Sequence, residues 1–404
     1  VRRVAVTGMG IVSPLGTSLG EYRDRLLAGE PAGAPITLFD PAALSTRIAA
    51  EVRGDVGERV ERDRKVAFGV AAARLAMADA QIQGAPLTPN GAGVSMGMGL
   101  ELFCMDDMVE FMGAERIPAG RDASTFLQTP SDTCIHRIAR EHGLREPPML
   151  HVSACAASTD AIGAAFRQVR SGRRRWMLAG GADSMINPLG VAGFCKIDAM
   201  TTRNGDPSRA SRPFDRDRDG FLLGEGAAVL VLEDLDDALA RGARIHAEIL
   251  GYGSSLDAHG ISEPHPEGEG ALLAMRRALD SAGVGAGEVT HVNAHGTSTP
   301  KNDPVETLAL RRLFGERAGE VTVNATKSMI GHLVSASGAA ELVAHMACAG
   351  AGWIHPTINL ENPDPACDLD YVPRVPRRMR SPLALKNSFG FGGQNASIVV
   401  RAPC

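Results

Sequence analysis

The sequence predicts an α/β protein. Short apolar runs of strand length alternate along the 404 residues with Ala-rich stretches at helical spacing. The runs are apolar on both faces, as in parallel or mixed sheets covered by helices on either side. Composition agrees: 44% of residues are hydrophobic, yet only 4% are aromatic and 46 are glycine. Such a core is built from small aliphatic side chains in close-packed layers.

The elements follow in order. Residues 4–6 read as a strand, with Gly8-Met9-Gly10 as a glycine turn behind it. Residues 21–27 and 65–80 have helical spacing, 93–98 reads as a buried strand, and 130–142 as a helix with a polar middle. Residues 149–153 form a strand, and the chain from Asp160 returns to helical spacing. Residues 175–179 and 227–232 are strands, the first leading into the glycine turn Gly180-Gly181. A second half begins near Ile245: strands at 247–250, 289–292, 321–325, 383–385 and 396–400, helices at 268–282, 305–313 and 339–349. Each half repeats a strand, a reactive loop and an Ala-rich helix. This divides the chain into residues 1–244 and 245–404, sharing one body without a low-complexity linker.

Bulk properties exclude several classes. Forty-seven acidic against 42 basic residues give a net charge of −5, no argument for nucleic-acid or membrane binding. Seven cysteines, at 104, 134, 155, 195, 348, 367 and 404, form no CxxC pair and fit neither a zinc site nor a disulfide framework. No stretch approaches the ~18–20 apolar residues of a membrane span, and Gly8, Gly10 and Pro14 break the apolar start too early for a signal peptide. The expectation is a cytoplasmic protein in a reducing compartment.

The most telling residue is Cys155, in His151-Val-Ser-Ala-Cys-Ala-Ala-Ser-Thr159, at a strand-to-helix junction. Unpaired N–H groups and the dipole at a helix start favour the thiolate, the nucleophilic form. A small buried cysteine packed under a helix is the ordinary alternative. Three further loops follow strands: Asn293-Ala-His295-Gly-Thr-Ser-Thr-Pro-Lys-Asn-Asp303, Lys327-Ser-Met-Ile-Gly-His332 and Asn387-Ser-Phe-Gly-Phe391-Gly-Gly393-Gln394. A lone loop histidine is usually structural, and Gly-Phe-Gly-Gly can be a tight turn. Four such loops, each at a strand end with a reactive or backbone-exposing group, point to one site.

In these motifs the chain resembles the elongating β-ketoacyl-[acyl-carrier-protein] synthases of the thiolase superfamily, type II condensing enzymes that include β-ketoacyl-[acyl-carrier-protein] synthase II and polyketide ketosynthases. The resemblance runs from Arg3-Val-Ala-Val-Thr-Gly-Met-Gly10 through Ser211-Arg-Pro-Phe-Asp-Arg-Asp-Arg-Asp-Gly-Phe-Leu-Leu-Gly-Glu-Gly226 to the gate loop at 387–393. Thiolases carry a second cysteine in the last loop, and initiating synthases a Cys-His-Asn set; this chain has neither.

The resemblance implies a thiolase-like five-layer αβαβα fold of two duplicated halves. It implies decarboxylative condensation of a Cys155-bound acyl chain with malonyl-acyl carrier protein, with no cofactor or metal beyond the carrier's phosphopantetheine. His295 and His332 would donate through Nε2 to the malonyl thioester carbonyl, and a buried Lys327–Glu341 pair would organise the second histidine. The N–H groups of Cys155 and Phe391 would form the oxyanion hole, in a loop made permissive by Gly390, Gly392 and Gly393. Phe391 and Phe194 would be gates, with Leu102, Phe103 and Gln128 along the acyl pocket. Arg62, Arg64, Lys65 and Lys196 are the candidates for carrier contact, and a homodimer or a heterodimer with a related subunit is implied. Asp303 and Glu306 read as loop-stabilising acids.

The chain departs from the pattern at Gln394, Asn302 and Asp198, and with Asp132, Cys134 and His136 in a helix near the tunnel end. These polar groups tilt the expected substrate towards a polyketide or polyene intermediate, with housekeeping fatty-acid elongation as the alternative. A non-catalytic chain-length subunit is the less expected reading, since Cys155 and both histidines are present.

Overall fold

The structure, a computed structural model, describes residues 1–57, 63–82, 91–100, 102–103, 108–110, 112, 128–379 and 383–402. Among these, ten strands form one sheet: β1 (Val4–Val12), β2 (Ala92–Met98), β3 (Met149–His151), β4 (Trp176–Asp183), β5 (Gly226–Asp234), β6 (Ala247–Leu256), β7 (His291–Asn293), β8 (Thr322–Asn324), β9 (Leu383–Gly390) and β10 (Gln394–Arg401). Their spatial order is β8-β7-β9-β10-β6-β1-β5-β4-β2-β3. From the centre outwards, each five-strand unit places its first, fifth, fourth, second and third strand. The pairings are antiparallel, antiparallel, parallel and parallel in both units. The units join where β1 pairs antiparallel with β6, Val4 opposite Ile249.

Helices α1 (Arg64–Ala80), α2 (Thr133–Glu141), α3 (Ala157–Arg170), α4 (Pro188–Lys196), α5 (Glu269–Ala282), α6 (Asn302–Phe314) and α7 (Ser337–Ala349) complete the frame. α3 and α7 touch each other and strands of both units, forming the middle layer. α1 covers β1 and β5 on one outer face with α2 beside it, and α5 covers β6 and β10 on the other with α6 beside it. The result is the expected thiolase-like five-layer arrangement.

One expectation fails instructively. Gly8 and Gly10 are not a turn: β1 continues through them, with a bulge between Val6 and Gly8. A Cβ on Gly10 would lie 1.9 Å from the Ala72 carbonyl oxygen, and one on Gly8 would lie 2.2 Å from that of Ala76. The glycines let the Ala-rich face of α1 press onto the strand. Gly180 and Gly181 likewise lie inside β4. No helix among the described residues is long and apolar enough to cross a membrane. Cys134, Cys155, Cys195, Cys348 and Cys367 are free thiols.

Candidate active site

β3 delivers the chain to Ser153, then to a one-turn 3-10 helix, Ala154–Ala156, that runs into α3. Cys155 sits in that turn with 5% of its surface exposed. Ala154 holds φ at +47°, a left-handed conformation that an L residue adopts at a cost. The turn is therefore forced by its surroundings.

His295 follows β7. Glu306, buried on α6, accepts the His295 and Gly296 N–H groups at 2.9 Å each. Asp303, one turn earlier, accepts from Thr297 at 3.1 Å and from Phe214 at 2.9 Å. These two acids hold the loop.

His332 follows a short helix, Lys327–Ile330, and Gly331. Its N–H donates to the Leu222 carbonyl at 2.7 Å, and its own carbonyl accepts from Gly224 at 2.9 Å. The conspicuous 211–226 segment thus braces both histidine loops. Ser211 Oγ donates to the Lys327 carbonyl at 2.7 Å, and the Arg212 N–H to Ser298 Oγ at 2.9 Å. The segment is recognisable in the sequence, but its bracing task is not.

The imidazole tautomers follow from their partners. The Val334 N–H donates to His332 Nδ1 at 3.1 Å, so Nδ1 carries the lone pair and Nε2 the proton. His332 Nε2 lies 3.1 Å from Cys155 Sγ. His295 Nδ1 faces the Lys327 ammonium at 3.3 Å, which leaves its proton on Nε2 as well. Burial, and then the Lys327 charge, hold both histidines well below the ordinary imidazole range, so both are neutral donors at physiological pH. The rings meet edge to face, 5.4 Å apart.

Lys327 corrects an expectation. Its Nζ donates to the His295 carbonyl at 2.7 Å and to Glu341 Oε1 at 2.5 Å. The pair therefore organises the first histidine, whereas His332 Nδ1 is met by Ser337 Oγ at 2.8 Å and by the Val334 amide. Glu341 Oε2 also lies 2.8 Å from Lys386 Nζ, so one buried carboxylate serves two buried lysines. Nothing in the sequence around Lys386 announces it.

The thiol is a second correction. Its helix start was expected to favour the thiolate, but burial pushes the Cys155 pKa up to about 11. The Lys327 charge and the Phe391 and Cys155 amide N–H groups act in the opposite direction. At Gly390 a Cβ would come 3.0 Å from the Ser153 carbonyl oxygen and 3.2 Å from the Cys155 nitrogen. A side chain there would push the Phe391 amide away from the sulfur.

Cys155, His295, His332 and Phe391 line a cavity of about 360 Å³ whose mouth carries Asp198 and Lys301. Ile197 also lines a second, more apolar cavity of about 750 Å³, with Leu100, Leu150, Val152, Met185 and Phe194. The Phe194 ring lies 6.5 Å from Phe391 and 5.3 Å from Phe221. These aromatic side chains stand between the two spaces. Leu102 and Phe103 pair with Thr129 and Gln128 in a short ladder; the side chains of Leu102, Phe103 and Gln128 lie outside the described residues.

Of the candidate carrier contacts, Arg62 lies outside the described residues and Lys196 is exposed. Lys65 and Arg64 are corrected. Lys65 is 2% exposed, paired with Asp63 at 2.7 Å and bonded to the Leu100 carbonyl. Arg64 is paired with buried Glu225 at 2.7 Å. Both neutralise internal carboxylates and so present no free basic patch.

The ligating atoms of Cys155, His295 and His332 lie within 4.8 Å of one another. They fit a metal ion poorly: both Nε2 atoms carry protons, and the Lys327 ammonium lies beside them.

A buried thiol at a helix start, faced by two neutral imidazole donors at the junction of two repeated units, defines a thiolase-like condensing acyltransferase. The chain belongs to the β-ketoacyl synthase family. Residues 1–238 match the Beta-ketoacyl synthase, N-terminal domain, and residues 246–361 the Beta-ketoacyl synthase, C-terminal domain. It is 40% identical to 3-oxoacyl-[acyl-carrier-protein] synthase 2 of Synechocystis sp., over 99% of this chain and 98% of that protein. A β-ketoacyl synthase from Burkholderia phymatum superposes with a TM-score of 0.91 at 35% identity, covering all of both chains. A type II PKS ketosynthase, solved in complex with its acyl-carrier protein and bound to the hexaketide, superposes with a TM-score of 0.89 at 30% identity, again over all of both chains.

Proposed function

We propose that the chain condenses an acyl group held on Cys155 with malonyl-acyl carrier protein, releasing CO₂ and a 3-oxoacyl chain two carbons longer. The observation that carries this reading is the convergence of two Nε2–H imidazoles on one buried thiol. The Cys155 thiolate attacks the acyl thioester carbonyl, whose developing oxyanion meets the Cys155 and Phe391 N–H groups. The bond from the carbonyl carbon to the carrier's sulfur breaks, and the pantetheine thiol leaves with the proton that the Cys155 thiol gave up on attack. The malonyl thioester carbonyl then takes hydrogen bonds from His295 and His332. Breaking the bond to the carboxylate puts an electron pair into an enolate stabilised by those two donors. The enolate carbon attacks the acyl–Cys155 carbonyl, and the expelled Cys155 thiolate takes up a proton from solvent. These steps use no further cofactor.

The names of the relatives support a carrier-bound substrate. A polar tunnel loses support, because Asp132 and His136 pair at the surface, 51% and 65% exposed, while Cys134 packs inward. The apolar lining of the larger cavity favours a hydrocarbon acyl chain, as in fatty-acid elongation, over a polar polyketo chain. Leu150 and Val152 are 39% and 62% exposed on or just beyond edge strand β3, which supports dimerisation through that edge. The test is intact-mass analysis after incubation with acyl- and then malonyl-carrier protein. Acyl-Cys155 followed by 3-oxoacyl-carrier is expected. An unmodified wild-type protein, or equal turnover with coenzyme A thioesters, overturns the reading.

A further inference from the structure

Beside the nucleophile turn, lining a separate cavity of about 650 Å³, lies a group that the mechanism does not use. The Ser153 hydroxyl donates to Asp160 Oδ2 at 2.5 Å, and the Tyr252 hydroxyl donates to Asp160 Oδ1 at 2.6 Å. Ser153 and Tyr252 are 5% and 6% exposed. Distances this short are those of O–H donors on a charged carboxylate, about twice as strong as neutral pairs. Burial and the Asp160 charge hold the Tyr252 phenol protonated, so it stays a donor. The Arg167 guanidinium lies over the other face of this arrangement, 4.7 Å from the Tyr252 ring centre.

Ser153 is the residue before strained Ala154, and its carbonyl accepts the Ala156 N–H at 3.0 Å. That carbonyl also lies against Gly390. One residue therefore touches the carboxylate, the 3-10 turn and the gate loop. On the opposite flank, Thr159 Oγ1 lies 2.7 Å from Ser388 Oγ, which Lys386 also approaches at 3.2 Å. The start of α3 is gripped from both sides.

We infer that Asp160 is a positioning residue for the nucleophile: through Ser153, and itself aligned by Tyr252, it holds the Ala154–Cys155 turn so that the sulfur lies under the Phe391 and Cys155 amides. This rests on the condensing reading above and deepens it. Asp160 is not part of the lining of the cavity that holds Cys155, His295 and His332. A relaxed turn would displace the sulfur from its donors, and displacements of this kind cost roughly ten- to a hundredfold in rate.

The test compares Asp160→Asn, Ser153→Ala, Tyr252→Phe and the Asp160→Asn/Ser153→Ala double variant with wild type. The readouts are acyl transfer onto Cys155, the pH profile of Cys155 alkylation by iodoacetamide, and decarboxylation of malonyl-carrier protein. Asp160→Asn and Ser153→Ala should each slow acyl loading about tenfold and shift the alkylation profile to higher pH. Decarboxylation should change less than about threefold, because His295 and His332 are untouched, and the double variant should be no slower than either single one. Wild-type loading and alkylation in Ser153→Ala, or additive losses in the double variant, overturn the inference. If Asp160→Asn fails to fold, Ser153→Ala and Tyr252→Phe decide it. Wild-type protein that alkylates at Cys155 but condenses nothing refutes the function while leaving the alkylation comparison to judge Asp160.

Discussion

Ala154 and Val334 occupy the same step of the repeated fold and carry the same strain, with φ of +47° and +44°. Each opens a one-turn 3-10 helix that continues into a middle-layer helix, α3 or α7. Ser335 therefore stands in the second half where Cys155 stands in the first. The fourth strand of each half ends over the helix start of the other. At the end of β4, Asp183 accepts the Ser335 N–H at 2.8 Å. At the end of β9, Gly390 lies against the Cys155 turn. One copy fills the space with a carboxylate; the other leaves it open for substrate.

The strain at Ala154 predicts an uncoupling of stability from activity. A left-handed L residue costs roughly 1–2 kcal/mol, and glycine removes that cost but loses about 0.5–1 kcal/mol to the entropy of the unfolded chain. Ala154→Gly should therefore keep its urea-unfolding free energy within about 1 kcal/mol of wild type. Acyl loading should nevertheless slow up to about tenfold, because glycine lets the turn also sample backbone conformations that the Ala154 Cβ excludes.

The tautomers predict separate roles for nucleophile and donors. His295→Ala and His332→Ala should each lower malonyl decarboxylation roughly a hundred- to a thousandfold. Loading should suffer far less, and His332→Ala should lose more of it than His295→Ala, since His332 is the histidine within hydrogen-bond distance of the sulfur. Because both imidazoles stay neutral, decarboxylation should be flat from pH 6 to 8. Equal loss of both half-reactions, measured with separate acyl- and malonyl-carrier assays, contradicts this.

These features differ in how legible they are in the sequence. Cys155, His295 and His332 can be read because each sits in a short loop after a strand, where sequence neighbours are also spatial neighbours. Lys327 and Glu341 pair as expected, but the histidine they serve is the other one: Lys327 folds back across the β7 and β8 strand ends to His295, a choice made by tertiary packing. Lys386 is invisible because it lies mid-strand in β9 and meets Glu341 only through the layering. Gly8 and Gly10 mislead because glycine serves turns and close strand–helix contact alike, and composition does not tell them apart. Lys65 looks like surface charge because a buried ion pair leaves no local mark.

The Glu341 bridge predicts an order of stability losses. Glu341→Leu leaves Lys327 and Lys386 buried without the carboxylate that pairs with both, a loss of about 3–5 kcal/mol by urea unfolding. Lys386→Met keeps the Lys327–Glu341 contact and should lose less. Burial first, and the Lys327 charge, hold the Lys386 pKa below its ordinary value, so removing that charge relieves a desolvation cost. A Lys386→Met variant less stable than Glu341→Leu would refute the bridge.

A second histidine cluster, away from the chemistry, predicts the acid limit of the fold. His291 and His345 stack with ring centres 5.2 Å apart, and the Nε2 of each is buried without a hydrogen bond. His355 donates from Nδ1 to the Pro356 carbonyl and has Thr326 Oγ1 at 3.1 Å from Nε2. Burial lowers His345 and His355 to about 4, and it holds His291 well below the ordinary imidazole range. Above pH 6.5 these groups are neutral in folded and unfolded chains alike, and their contribution is complete. Between 6.5 and about 4 the unfolded chain takes up protons that the folded one refuses. Each group then removes about 1.4 kcal/mol of stability for every pH unit of acidification. Asp183 works in the opposite sense: burial raises it to about 6, so below pH 6 the folded chain gains protons first. Burial raises Asp63, Asp303 and Glu306 in the same direction. It also lowers His142, His151, His295 and His332, and four carboxyls against seven histidines leave a net loss. Urea midpoints should therefore fall steeply from about pH 6.5 to 4.5, and His345→Leu should flatten that slope. A slope unchanged by His345→Leu would place the acid sensitivity elsewhere.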